Sequence, residues 1–209
     1  MPVTSHPLAD AVAKIISVVF HPLLMPLYGL LIIFSTPTIF AYLPFAQKKV
    51  MILIVAINNI LLPLSLLPYF KWRKVISTWT IDERKERIIP MALTSVLYFL
   101  TFYIVIRYSI PLFIKSVILS TALISFAVTL INFRWKVSIH SVGAGALTSL
   151  IFVLAFKMHA SLTLLIILAV LVSGLILSSR LWLNSHNPKE VWLGYLVGIA
   201  GMGLLLLVF

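Results

Sequence analysis

The chain has no cysteine. Disulfides, zinc–thiolate sites and thiol nucleophiles are therefore excluded. Charge is also scarce: charged residues make up 10% of the 209 residues, and only five are acidic. No Ser/Gly-rich linker, internal repeat or low-complexity tract divides the sequence, which reads as one domain over residues 1–209. A cleavable leader is not expected either, because Asp10 and Lys14 lie near the start of the first apolar run and no small-residue cleavage site follows a short hydrophobic core. What is abundant is apolar surface. Soluble domains are about 45–50% apolar and about 25% charged, whereas here 62% of residues are hydrophobic and the mean hydropathy is +1.14. A water-soluble fold of this length has too little interior to hide that surface, but a bilayer can cover it. The expectation is an all-α polytopic membrane bundle.

A crossing helix needs about 20 mostly apolar residues. Seven stretches qualify: about Ala11–Phe40, Val50–Phe70, Ile88–Ile106, Pro111–Ile131, Ser138–Phe156, Leu162–Leu177 and Val191–Phe209. The first contains His21, Pro22 and Pro26, and prolines predict a kink or break there. The count is therefore six or seven spans.

The net charge is +11. In a soluble protein that would point to nucleic acid. Here the basic residues sit in short loops between apolar runs, so no nucleic-acid partner is expected. The pattern matches both the positive-inside rule with anionic headgroups and a phosphate-binding site. If runs two to seven all cross, the loops 71–87, 134–138 and 178–190 share one face. That face carries ten Lys and Arg against five on the other, and it also holds Asp82, Glu83, Glu86 and Glu190.

The chemistry-capable residues gather in two segments. In the first, Ser179-Arg180 is followed by His186 and then Glu190. Phosphoryl transfer through a histidine needs such a set: an imidazole to attack phosphorus, a guanidinium to hold the equatorial oxygens, and a carboxylate to fix the imidazole tautomer. The second segment, Lys136-Val137-Ser138-Ile139-His140-Ser141-Val142-Gly143, places a cation, a hydroxyl and another imidazole at a helix start, where backbone N–H groups favour an anion. A second histidine can act as general acid for the leaving group.

These segments resemble the third and second signature motifs of the type 2 phosphatidic acid phosphatase superfamily, whose members include the vanadium haloperoxidases. The family's third motif, Ser-Arg, five residues, His, three residues, Asp, matches at Ser179, Arg180 and His186, with Glu190 in place of Asp. Gly194 and Gly198 follow as a family-like Gly-x-x-x-Gly. The second motif, Pro-Ser-Gly-His, matches at Ser138 and His140 but has Val137 and Ile139 at the other two positions. The first motif, Lys, six residues, Arg-Pro, has only a loose counterpart in Asp82-Glu83-Arg84-Lys85-Glu86-Arg87 ahead of Pro90. The resemblance thus lies within residues 82–198. It departs from the typical lipid phosphatases in placing about 45 strongly apolar residues between its first and second motifs.

The resemblance implies a metal-independent, cofactor-free lipid phosphatase with a compact core of the family type. His186 would be the nucleophile, Glu190 its orienting carboxylate and His140 the proton donor. Arg180 and Arg87, with Arg84, Lys85 or Lys136, would bind phosphate, and Ser138 would add a hydrogen bond. The substrate would be a membrane lipid carrying a phosphomonoester or pyrophosphate, at the periplasmic side of a bacterial inner membrane. The Lys and Arg count instead puts the motif face in the cytoplasm.

Plainer readings apply to several of these residues. Asn187-Pro188-Lys189-Glu190 is also a helix start with an N-cap, Pro at the first position and a capping-box Glu, a role compatible with orienting His186. His6, His21 and His159 read as amphipathic loop residues, and Trp135, Trp182 and Trp192 as interfacial belt residues. A lipid phosphotransferase, in which a hydroxyl replaces water, and a non-catalytic relative or transporter of anionic lipids share the same sequence features.

Overall fold

With no water in the hydrocarbon core, each backbone N–H and C=O must be satisfied inside the protein, and a helix does this within one segment. The computed structural model describes residues 7–79, 81 and 83–208, and among these no strand occurs. His6 and Asp82 lie outside the described residues. The helices are α1 (Pro7–Val19), α2 (Met25–Ser35), α3 (Phe45–Ala56), α4 (Leu62–Trp72), α5 (Arg84–Val105), α6 (Leu112–Asn132), α7 (Ile139–Lys157), α8 (Thr163–Trp182) and α9 (Pro188–Val208). Seven stretches are long and apolar enough to cross a membrane: α1 with α2, α3 with α4, and each of α5 to α9. The chain is an all-α, multi-pass membrane protein.

The first stretch breaks where its prolines predict. Pro22 disfavours helical geometry for the residue before it, and His21 is extended, with φ −64° and ψ 139°. A single 3₁₀ turn, Pro22–Leu24, then leads into α2. α1 reaches the ends of α7 and α8 that carry the motif loops: Trp182 Nε1 donates to Asp10 at 2.9 Å, and Ser17 meets both Arg180 and His140. α2 continues alongside α7, with Met25 against Gly143 and Gly29 beside Leu150. The break therefore lies level with the motif loops.

The second stretch is interrupted as well. Residues Ile57–Leu61 form a π-helical turn. Pro63 lacks an N–H and its ring would clash with the carbonyl four residues back, that of Asn59; widening the turn relieves the clash. Asn58 and Asn59 are buried there, and Thr101 Oγ1 of α5 donates to Asn59 Oδ1 at 2.6 Å. Helices α5 and α8 are longer than hydropathy alone marks, starting at Arg84 and ending at Trp182. Apolar runs report the part in lipid, and helices continue past it into the polar interface.

Helices α7 and α9 pack closely, because small residues let their backbones meet. A Cβ at Gly194 would stand 2.7 Å from the Ser138 carbonyl, and one at Gly198 would overlap the Val142 carbonyl. The backbone N–H of Ser138 donates to the Glu190 carbonyl at 3.2 Å. This bond fixes the start of α7 against the start of α9, and so places the segment of His140 beside that of His186.

Candidate active site

At the start of α9, Asn187 is the N-cap. Its Oδ1 accepts the Glu190 N–H at 2.9 Å, and Pro188 takes the first helical position, where no N–H is needed. The Glu190 carboxylate does two further things. Oε1 accepts from Asn187 Nδ2 at 2.9 Å, and Oε2 pairs with His186 Nδ1 at 2.6 Å. The capping and orienting roles thus coexist. A carboxylate only accepts, so the His186 proton sits on Nδ1 and the lone pair on Nε2.

His186 is 7% exposed. Burial holds its pKa below the ordinary value of 6.5; the hydrogen bond and charge of Glu190 oppose this, and the positive charges of Arg87 and Lys136 add to it. The ring is neutral at pH 7. The unfolded chain binds a proton on this histidine near pH 6.5, and the folded protein resists it until lower pH. Folding stability therefore falls as pH drops below 6.5 towards the folded value. If neutral His186 is the reacting form, the acid limb of kcat/KM will also lie below pH 6.5. A pH–rate profile whose acid limb is centred at or above 6.5 would contradict this.

Ser138 caps α7: its Oγ accepts from Ser141 N–H at 3.4 Å and from Ser141 Oγ–H at 2.9 Å. Two residues on, His140 Nε2 meets the Ser17 carbonyl at 3.0 Å. A carbonyl only accepts, so His140 donates through Nε2–H and keeps Nδ1 for other partners. Arg180, in the last turn of α8, donates from Nη1 to Ser17 Oγ at 3.1 Å. Ser17 thus ties α1 to both residues.

A cavity of about 290 Å³ opens among these elements. Arg87, His140, Arg180 and His186 line its polar end. Tyr98, Ile124, Leu150 and Met202 line parts that reach the middle of α5, α6, α7 and α9. The structure therefore gathers four of the sequence-predicted residues around one space, with Glu190 behind His186.

The other four lie elsewhere. Ser138 is fully buried with its hydroxyl engaged in the cap. Arg84 donates from Nη1 to the carbonyls of Phe133 and Arg134, at 3.1 and 2.5 Å, closing the C-terminal end of α6. Lys85 is exposed. Lys136 Nζ donates to the Ser185 carbonyl at 3.1 Å, bracing the turn that carries His186. None of these four lines the cavity. Arg87, by contrast, is buried on its wall and donates from Nε to the Ile81 carbonyl at 2.7 Å.

His21 is the residue that sequence reasoning passed over. Its ring lines the same polar end and meets His140 edge to face, with centroids 5.5 Å apart and planes at 81°. The available signal was an ionisable side chain inside a long apolar run, at the proline that breaks it. Among the described residues, no group of three or more His, Cys, Asp or Glu is placed to hold a metal ion. Compared with protein-family models, curated proteins and solved structures, the chain matches none.

Taken together, the polar end offers a neutral imidazole with a free Nε2 lone pair, two guanidinium groups and a second imidazole. Its charge suits an anion, and the carboxylate bonded within it is already engaged with His186.

Proposed function

We propose that this protein is an integral membrane lipid phosphatase of the type 2 phosphatidic acid phosphatase kind, acting through a phosphohistidine on His186. The observation that carries the reading is the shared cavity: His186, His140, Arg180 and Arg87 meet at one end with His21, and the remaining wall is mostly apolar. An amphiphile with a phosphate head and a hydrocarbon tail complements both parts.

In this reading Nε2 of His186 attacks phosphorus while Arg180 and Arg87 hold the equatorial oxygens. The P–O bond to the lipid breaks, and His140, which takes up a proton on Nδ1 when the anionic phosphate binds beside it and loses it again when phosphate leaves, gives that proton to the leaving oxygen. Water then attacks the phosphohistidine and yields its proton to His140. The P–N bond breaks, inorganic phosphate leaves, and His186 and His140 return to their starting states. Glu190 keeps the Nδ1 proton in place and stabilises the positive charge on the phosphorylated ring.

The site would face the periplasm of a bacterial inner membrane. The positive-inside count argues for the other face, but Arg84, Arg87, Lys136 and Arg180 all make specific bonds that join loops or line the cavity. Their presence reflects the site as much as the topology.

The test is phosphate release by the purified full chain, in detergent micelles with chelator, from phosphatidate, phosphatidylglycerol phosphate and a polyprenyl diphosphate. Release from at least one is expected. Release from none overturns the reading.

A further inference from the structure

The polar end of the cavity contains one ionisable ring that the mechanism above leaves unused. His21 does not sit there by accident of a loose loop. Its backbone is set by Pro22, and the segment is clamped on both sides. Ser17, one turn before it, is gripped by Arg180 through its hydroxyl and by His140 through its carbonyl. Tyr28, beyond the turn, donates to the Val19 carbonyl at 2.7 Å. The break between α1 and α2 is thus bound into the site as a further wall, beside the starts of α5, α7 and α9 and the end of α8.

The tautomer of His21 follows from its own bond. Nδ1 accepts the Leu23 N–H at 3.3 Å, capping the 3₁₀ turn. A neutral imidazole with Nδ1 as acceptor carries its proton on Nε2. Among the described residues, no acceptor is bonded to that Nε2–H. The groups around the ring are His140 and Arg180, which offer it no carboxylate. A donor without a protein partner, beside two guanidinium groups at the polar end of the cavity, is open to an anionic acceptor from outside the chain.

We propose that His21 is a phosphate-binding residue, whose Nε2–H donates to a phosphate oxygen held by Arg180. It supplies an uncharged donor where two guanidiniums already supply charge. This rests on the phosphatase reading for its ligand, and the site would then take phosphate through α1–α2 as well as through the three motif loops.

The experiment is equilibrium binding of radiolabelled inorganic phosphate to the detergent-solubilised full chain, with phosphate release measured in parallel. His21→Phe keeps a ring against His140 but has no donor; His21→Gln restores a donor; His21→Ala removes both. A hydrogen bond to a charged group implies about 10-fold or greater weakening of phosphate binding in the Phe and Ala variants. The Gln variant is expected to recover most of the affinity, and the Phe variant to lose only the modest stability of the cap on the 3₁₀ turn while staying folded. If wild type binds phosphate and the Phe variant binds it equally well, the assignment is wrong while the phosphatase reading stands. If wild type binds phosphate with His21-dependent affinity but hydrolyses no lipid phosphate, the phosphatase reading fails and the binding role stands. If wild type binds no phosphate and releases none, both fail.

Discussion

Replacing His186 with alanine is expected to lower phosphate release by at least about 10³-fold, because no other group at the polar end has a free lone pair aligned by a carboxylate. The fold should survive the change. Asn187 Oδ1 still caps α9 and Asn187 Nδ2 still bonds Glu190 Oε1, so the carboxylate keeps a partner. The Ser138 N–H bond to the Glu190 carbonyl is main chain and is untouched. His159→Ala serves as control, since that exposed histidine follows α7 at its other end. Initial rates and thermal midpoints of both variants check this. A His186→Ala protein with more than a tenth of the wild-type rate would remove His186 from the mechanism.

Glu190→Gln is the second large effect, with an expected loss of about 10²- to 10⁴-fold in kcat and little change in KM. A glutamine amide can donate as well as accept, so it no longer fixes the proton on Nδ1, and it carries no charge to stabilise a phosphorylated ring. The cap itself remains, because it runs from the Glu190 backbone N–H to Asn187. The sign of the pH effect separates the two roles. Glu190 raises the His186 pKa through its bond and its charge. Without it, the acid limb of the pH–rate profile should move to lower pH. A variant that loses stability but keeps kcat and the wild-type acid limb would make Glu190 a capping residue alone.

Much of the architecture was legible in the sequence because lipid imposes a simple rule. Long apolar runs must be helices, and Pro22 told where the first would break. The three loops on one face followed from parity, and Arg84, Lys136 and the Ser138 N–H now appear as the bonds that join them. Side-chain commitments were not legible. Ser138, Arg84 and Lys136 have the chemistry to bind phosphate, yet each is engaged with protein groups whose position depends on how the helices pack. The π turn at Ile57–Leu61 was hidden for a similar reason, since Pro63 can kink a helix in several ways and its neighbours choose among them. His21 was read as a loop residue because it lies 119 residues before His140 in sequence and reaches it only through the packing of α1 and α2 against α7 and α8.

The central claim is a covalent bond between phosphorus and Nε2 of His186. It is tested most directly by mixing the full chain with a lipid bearing a radiolabelled terminal phosphate, quenching in alkali, and mapping the label on the protein. The expected result is a base-stable, acid-labile phosphate on the peptide containing His186, present in wild type and absent from His186→Ala. Label on another residue, or steady phosphate release from His186→Ala with no labelled protein, would contradict it.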